Sequence, residues 1–276
     1  MAMVRRNWTE DEVTLALALY LRTPRSRINA KHPDIIELAA ALGRTPSAVS
    51  MKMHNLAAHD KVLTDRQLLS LSHGSHIDGL IWERYMGADR TKPLTGLLEA
   101  VETLLTSGEY NAPSFIDANT LLINETSTLK TESLAIVKQR RNQAYFREAV
   151  MTMYDRKCLV TGLHSDPLIE VAHIVPWAEN EALRLVTANA LTLNPLIHRA
   201  YDANLIGIDP DMVIHVDEEL ILASEGDLRT LFLNVDGHQL ALPEHARPAA
   251  DYLDAHYQGF LKHEHHPMRL SKLTDI

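Results

Sequence analysis

A single cysteine, Cys158, in a chain of 276 residues rules out both an internal disulfide framework and a four-cysteine zinc site. Apolar burial and hydrogen bonding must therefore hold the fold. With 46% hydrophobic and 23% charged residues the chain can build one large domain or two modest ones, and disordered or collagen-like architectures are excluded. No uncharged apolar run reaches the roughly 18 residues of a membrane span. The run 13–21 stops at Arg22, and the start MAMVRRNWTEDE has no apolar signal core, which implies a soluble, cytoplasmic protein without a membrane partner. A formal charge of -9 argues against non-specific phosphate binding, which needs clustered Lys and Arg. Much of the acid sits late, however, in Asp209, Asp211, Asp217, Glu218, Glu219, Glu225 and Asp227, whereas Lys138, Arg140, Arg141 and Arg147 form a basic run before Tyr154. An acidic total thus still permits a local basic face. Fifteen histidines are the one excess that can carry chemistry.

Hydrophobic spacing predicts an α+β chain that is mostly helical. Asn7 or Thr9 caps a first helix ahead of Glu10, Asp11 and Glu12, and Val13, Leu15, Leu17 and Leu19 give it an apolar face. A second helix is expected over 33–42, started by Pro33 and ended by Gly43, and a third begins at Ser47 or Thr45 and runs through Leu56. Helix, glycine turn, helix is the outline of a helix-turn-helix, so residues 1–60 read as a DNA-binding or docking module. If the module reads DNA, Ser47, Ser50, Lys52 and His54 lie on or near the exposed side of its third helix, with Arg44 at the approach. Otherwise it docks on the rest of the chain or mediates dimerisation. Residues 61–132 read as a helical connector with an amphipathic segment at 94–105, followed by an extended linker over 112–131. A new domain is expected over 133–222 and a C-terminal extension over 223–276. Its basic stretch, with Arg140 and Arg141, is either a backbone-binding track or a solvated helix face.

Residues 156–209 are the most informative. The runs 157–161 and 168–174 have the β-branched character of strands, separated by a polar turn, and 189–193 leads into a helix through His198, Arg199 and Tyr201. Two strands and a helix make a compact ββα unit. Its notable polar residues are His173 on the second strand, Asn189 before the helix and His198 on it.

These residues resemble the HNH, or ββα-metal, endonuclease family. The match consists of Ala172-His173-Ile174-Val175-Pro176-Trp177, Asn189 and His198, with the family's usual interval from loop Asn to helix ligand, and it extends over about 137–215. Asn7-Trp8-Thr9 and Leu42-Gly43-Arg44-Thr45-Pro46-Ser47 are similar to segments that precede such domains in bacterial proteins. The resemblance implies phosphodiester hydrolysis. A deprotonated water must attack phosphorus and positive charge must stabilise the leaving oxygen, tasks suited to an imidazole near neutral pH and a divalent metal. By this resemblance His173 is the general base, His198 the metal ligand, and Asn189 a residue that orients His173 by tying the loop to the strand. The products would carry 5′-phosphate and 3′-hydroxyl ends.

At two points the chain departs from its relatives. Where many of them carry a second metal ligand before the strand His, this chain has Ala172, so water and substrate phosphate, Glu170 or Asp202 must complete the shell. Mg²⁺ or Mn²⁺ is expected, with Ni²⁺ or Co²⁺ also able to serve an imidazole-containing site. The four positions where relatives bind a structural zinc through two CxxC pairs read Cys158, Thr161, Asn194 and Ile197, so no structural zinc is expected. The implied protein is a restriction or defence endonuclease acting on double-stranded DNA, as a homodimer because each ββα site cuts one strand. Ala172 keeps open a DNA-binding regulator with a vestigial nuclease fold, and the phosphate chemistry leaves RNA open as substrate.

Overall fold

The computed structural model describes residues 6–60, 75–87, 90–110, 131–240, 242 and 246–264, with 131–137 and 264 described by backbone alone. Apart from Thr131, which opens a helix, the expected linker over 112–131 lies outside these residues, as do Leu68, Leu69 and Leu71 of the expected connector and the histidines His265 and His266. The chain divides into two compact units, Met1–Met153 with Leu185–Thr187, and Tyr154–Arg184 with Ala188–Ile276.

The first unit is helical and is built around α1, Glu10–Arg22. Thr9 makes the cap: its hydroxyl accepts from the Glu12 amide while the Glu12 carboxylate accepts from the Thr9 amide, a reciprocal capping box. All residues from Val13 to Leu21 are buried, so α1 is enclosed rather than amphipathic. Four further helices surround it: α2 Pro33–Ala41, α3 Pro46–Ala57, α4 His76–Tyr85 and α5 Thr95–Thr106. The long α6, Thr131–Met153, also packs on α1, where the Tyr145 hydroxyl donates to the Ala18 carbonyl at 2.8 Å. Between α2 and α3 the chain reverses at Gly43, whose φ of +59° suits a residue without Cβ, and the Thr45 hydroxyl then caps α3.

Buried ion pairs lock this unit, among them those of Glu12 and of Lys52. The fully buried Glu12 carboxylate takes both the Nε and Nη2 of Arg44, at 3.0 and 2.7 Å, and also meets Arg6 at 2.7 Å. Burial pushes the Glu12 carboxyl up, but the hydrogen bonds from Arg44 and Thr9 and the charges of Arg44 and Arg6 outweigh it and hold it below the usual range. Lys52 of α3 is buried as well, its ammonium 2.5 Å from Asp78 of α4.

In the second unit the order is strand, strand, helix, but with a different first strand than the spacing suggests. β1 is Glu170–His173 and β2 is Ala190–Leu193, antiparallel with His173 opposite Ala190 and Glu170 opposite Leu193. α7, Pro195–Asp202, follows, its start capped by the Asn194 side chain. The expected strand over 157–161 is instead a turn. Gly162, at φ +71°, reverses the chain, and its amide bonds back to Cys158 O while the Cys158 amide bonds to Leu163 O. Val160 and Thr161 gave the run its strand character, but the glycine conformation overrides that preference. Beyond α7 come the hairpin β3 Ile206–Ile208 with β4 Ile214–Val216, then α8 Glu218–Leu222, α9 Gly226–Val235 and α10 Ala250–Glu264. No described helix is long and apolar enough to cross a membrane.

Candidate active site

His173 ends β1, and the loop that follows folds back over it. Its Nε2 lies 3.0 Å from the Arg184 carbonyl. A carbonyl only accepts, so Nε2 carries the proton and the lone pair sits on Nδ1. The Trp177 ring stands edge-on to the imidazole, with centroids 5.3 Å apart. Arg184 also secures Trp177, donating from Nε to its carbonyl at 3.0 Å and placing its guanidinium 5.0 Å from the ring centre. Burial lowers the His173 pKa below the ordinary 6.5, the Arg184 hydrogen bond opposes that shift, and the neighbouring His198 lowers it further. The ring is thus held neutral and in one tautomer near neutral pH.

Asn189, fully buried, closes the loop. Its Oδ1 accepts from the Val175 amide at 2.8 Å, and its Nδ2 donates to Val175 O at 3.2 Å and Leu183 O at 3.3 Å. One side chain thereby extends the β1–β2 pairing past His173, where Ile174 N also bonds to Asn189 O. Truncation to alanine takes the acceptor from the part-buried Val175 amide, a loss of up to about 1–3 kcal/mol for that group alone. We expect Asn189→Ala to lower the urea midpoint of unfolding accordingly, and to slow any reaction that depends on the His173 ring orientation.

His198 lies on the first turns of α7 with a carboxylate at each ring nitrogen. Glu170 Oε2 is 2.6 Å from Nδ1, and Asp202 Oδ2, one helical turn on, is 3.5 Å from Nε2. Strand alternation places Glu170 on the same face of β1 as Ala172, which is completely buried. Glu170 therefore approaches the helix histidine from the face on which Ala172 offers no donor.

The donor chemistry fits a hard or borderline divalent cation. With Nδ1–H donating to Glu170, the Nε2 lone pair faces outward beside an Asp202 oxygen, an N,O pair of the kind such ions accept. Among the described residues, no three His, Cys, Asp or Glu side chains already form a cluster able to hold an ion. Water and a substrate phosphate must supply the remaining ligands. A cavity of about 520 Å³ joins these groups, lined by His173, Trp177, His198, Asp202, His256 and Gly259 among others.

The four positions Cys158, Thr161, Asn194 and Ile197 are joined by hydrogen bonds and apolar burial. Asn194 Nδ2 donates to Thr161 Oγ1 at 3.1 Å, Asn194 Oδ1 accepts from Ile197 N at 3.0 Å, and Thr161 N points at Cys158 Sγ at 3.4 Å. Cys158 and Ile197 are buried. Thr192 ties this corner to β2 by accepting from the Leu159 amide and donating its hydroxyl to Lys157 O.

The five expected N-terminal contact residues fall into two groups. Ser47 and His54 are exposed and Ser50 is half-exposed, with His54 Nδ1 2.8 Å from Ser50 O. Arg44, by contrast, is committed to Glu12 and stacks 4.0 Å over Trp8, and Lys52 lies on the buried side of α3 with Asp78. On α6, Arg140 is exposed, whereas Arg141 pairs with Glu102 at 2.8 Å. Spacing does not single out Arg184, whose backbone carbonyl is what meets His173, nor His256, which lies far along the chain in the C-terminal extension.

Residues 158–209 match the family model described as HNH endonuclease, which identifies an HNH endonuclease domain in that segment. The matched stretch contains His173, Asn189 and His198 with β1, β2 and α7, and covers a minor part of the chain. No curated protein matches the chain.

Proposed function

We propose that the chain is a metal-dependent endonuclease that hydrolyses phosphodiester bonds in double-stranded DNA. The observation that carries this reading is the convergence on one cavity of a neutral imidazole, its tautomer set by Arg184 O, and an imidazole–carboxylate pair one helical turn apart. Nδ1 of His173 takes the proton from the attacking water. Asn189 holds the loop after β1, and the Arg184 carbonyl holds the Nε2 side of that ring. His198 Nε2 and Asp202 would hold the divalent ion, with Glu170 orienting the His198 ring from Nδ1. When bound, the ion supplies Lewis-acid stabilisation of charge on the phosphate and leaving oxygens. Mg²⁺ and Mn²⁺ suit this N,O pair, and Ni²⁺ or Co²⁺ suit its imidazole.

A restriction or defence role, guidance to DNA by α1–α3 and action as a homodimer are parts of the same proposal. The support is the face of α3 that carries the exposed Ser47 and His54 and the half-exposed Ser50, and the need for two single-strand cuts to sever a duplex. The test incubates purified protein with supercoiled plasmid, unmodified and methylated, and with RNA, in Mg²⁺, Mn²⁺, Ni²⁺, Co²⁺ or EDTA. Metal-dependent conversion to nicked or linear plasmid is expected. A duplex gel shift with no cutting under any ion would leave the regulator reading standing instead.

The pH dependence follows from His173. Its neutral form is the active one, so the rate falls tenfold per unit below its pKa and is level above it. Because burial sets that pKa below 6.5, single-turnover cleavage under saturating Mn²⁺ should have an acid limb centred below pH 6.5. A limb centred above 6.5 would contradict the assignment.

A further inference from the structure

The C-terminal helix lies outside the segment matched by the family model, yet it forms one wall of the same cavity. Its approach is too close for larger residues at two points. A Cβ on Gly207 of β3 would stand 2.7 Å from Phe260, and one on Gly259 would stand 2.9 Å from the Asn204 side chain just past α7. At its start the Ala249 amide donates to Ala188 O at 3.0 Å, beside Asn189. α10 is thus seated at the corner where α7 turns into β3.

From this seat His256 reaches the last turn of α7. Its ring lies flat on Tyr201, with centroids 3.6 Å apart and planes 5° from parallel, and its Nε2 donates to the Tyr201 carbonyl at 3.0 Å. That carbonyl is among the last four of the helix, which lack the usual i+4 partner, and otherwise meets only turn amides such as Asn204 N. It also belongs to the peptide plane that links Tyr201 to Asp202. Fixing that plane fixes the Cα from which the Asp202 carboxylate reaches toward His198 Nε2.

We propose that His256 is a positioning residue for the His198–Asp202 pair: by clamping the Tyr201 carbonyl and ring it sets the end of α7 so that the two side chains present their donor atoms together. The proposal rests on reading that pair as the metal ligands. His256 need not touch substrate or ion. The geometry requires a planar ring for the stack and an N–H donor for the carbonyl, and these two requirements can be separated by substitution.

The test uses the full chain with His256→Phe, which keeps the stack and loses the donor, His256→Gln, which keeps a donor, and His256→Ala, which removes both. Mn²⁺ binding is read without nucleic acid from the electron paramagnetic resonance signal of free ion, beside the thermal midpoint and plasmid nicking. His256→Phe should bind Mn²⁺ at least about tenfold more weakly at a thermal midpoint close to that of the unaltered chain, the scale seen when groups that orient metal ligands are removed. His256→Gln should restore most of the affinity. Equal affinity in His256→Phe and the unaltered chain overturns the proposal, as does a loss in every variant that follows the unfolded fraction. Failure of the unaltered chain to bind Mn²⁺ overturns it too. Binding that depends on His256 without cleavage of any nucleic acid would sink the endonuclease reading and leave the positioning role intact.

Discussion

Replacing His173 with alanine is expected to slow strand cleavage by about two to four orders of magnitude, the usual contribution of a positioned general base. Mn²⁺ affinity should change little. The two outcomes separate because the proposed tasks fall on different elements: His173 ends β1 and its Nε2 bonds to the loop, whereas the His198–Asp202 pair lies within α7. The comparison is made by nicking of supercoiled plasmid at saturating Mn²⁺, with the free-ion signal recorded on the same preparations. His173→Ala that cuts at the unaltered rate would remove His173 from the chemistry. His198→Ala supplies the converse control, since it should raise the Mn²⁺ concentration needed for half-maximal rate.

The largest expected effect on stability lies in the first unit, far along the chain from these residues. Asp78→Ala leaves the Lys52 ammonium enclosed without its counter-ion, and breaking a buried pair from one side typically costs about 3–5 kcal/mol. Asp78 has a second task, since its other oxygen accepts from the Ser75 amide at the start of α4. The substitution therefore also removes a helix cap, worth about 1 kcal/mol. Denaturant unfolding followed by far-ultraviolet circular dichroism should show the helical unit losing this stability. The double change Lys52→Met with Asp78→Asn should lose clearly less, because no charge is then left buried. If the single and double variants lose the same amount, desolvated charge is not what the pair controls.

These residues also show what the sequence makes legible. His173, Asn189 and His198 stand out because their types and intervals carry the family resemblance, and the structure places His173 and His198 on one cavity with Asn189 bracing the loop after β1. Lys52, expected on or near the exposed side of α3, is buried. The pattern to place it was present, since Val49, Lys52, Met53 and Leu56 share the helical spacing of a buried face, but a lysine there is expected outside until its partner is known. That partner, Asp78, is 26 positions away. The strand expected over 157–161 failed because residue preference outweighed one glycine, Gly162, whose left-handed conformation makes the turn. Arg184 is not legible from its side-chain type, because its backbone carbonyl is what bonds to His173 Nε2. His256 belongs with it: no interval relates it to His198, and only the close packing of α10 at Gly207 and Gly259 brings it to Tyr201.

The corner formed by Cys158, Thr161, Asn194 and Ile197 separates two dependencies that a zinc-braced nuclease combines. Where thiolates hold a structural ion, a chelator removes the fold together with the activity, and an oxidant can do the same through the sulfurs. Here an amide, a hydroxyl and buried apolar groups close that corner. Chelation should therefore arrest cleavage in a molecule that remains folded and recovers when the ion returns, and the yield of folded protein should be independent of the zinc available during synthesis. Metal supply would govern when the enzyme works without governing whether it exists.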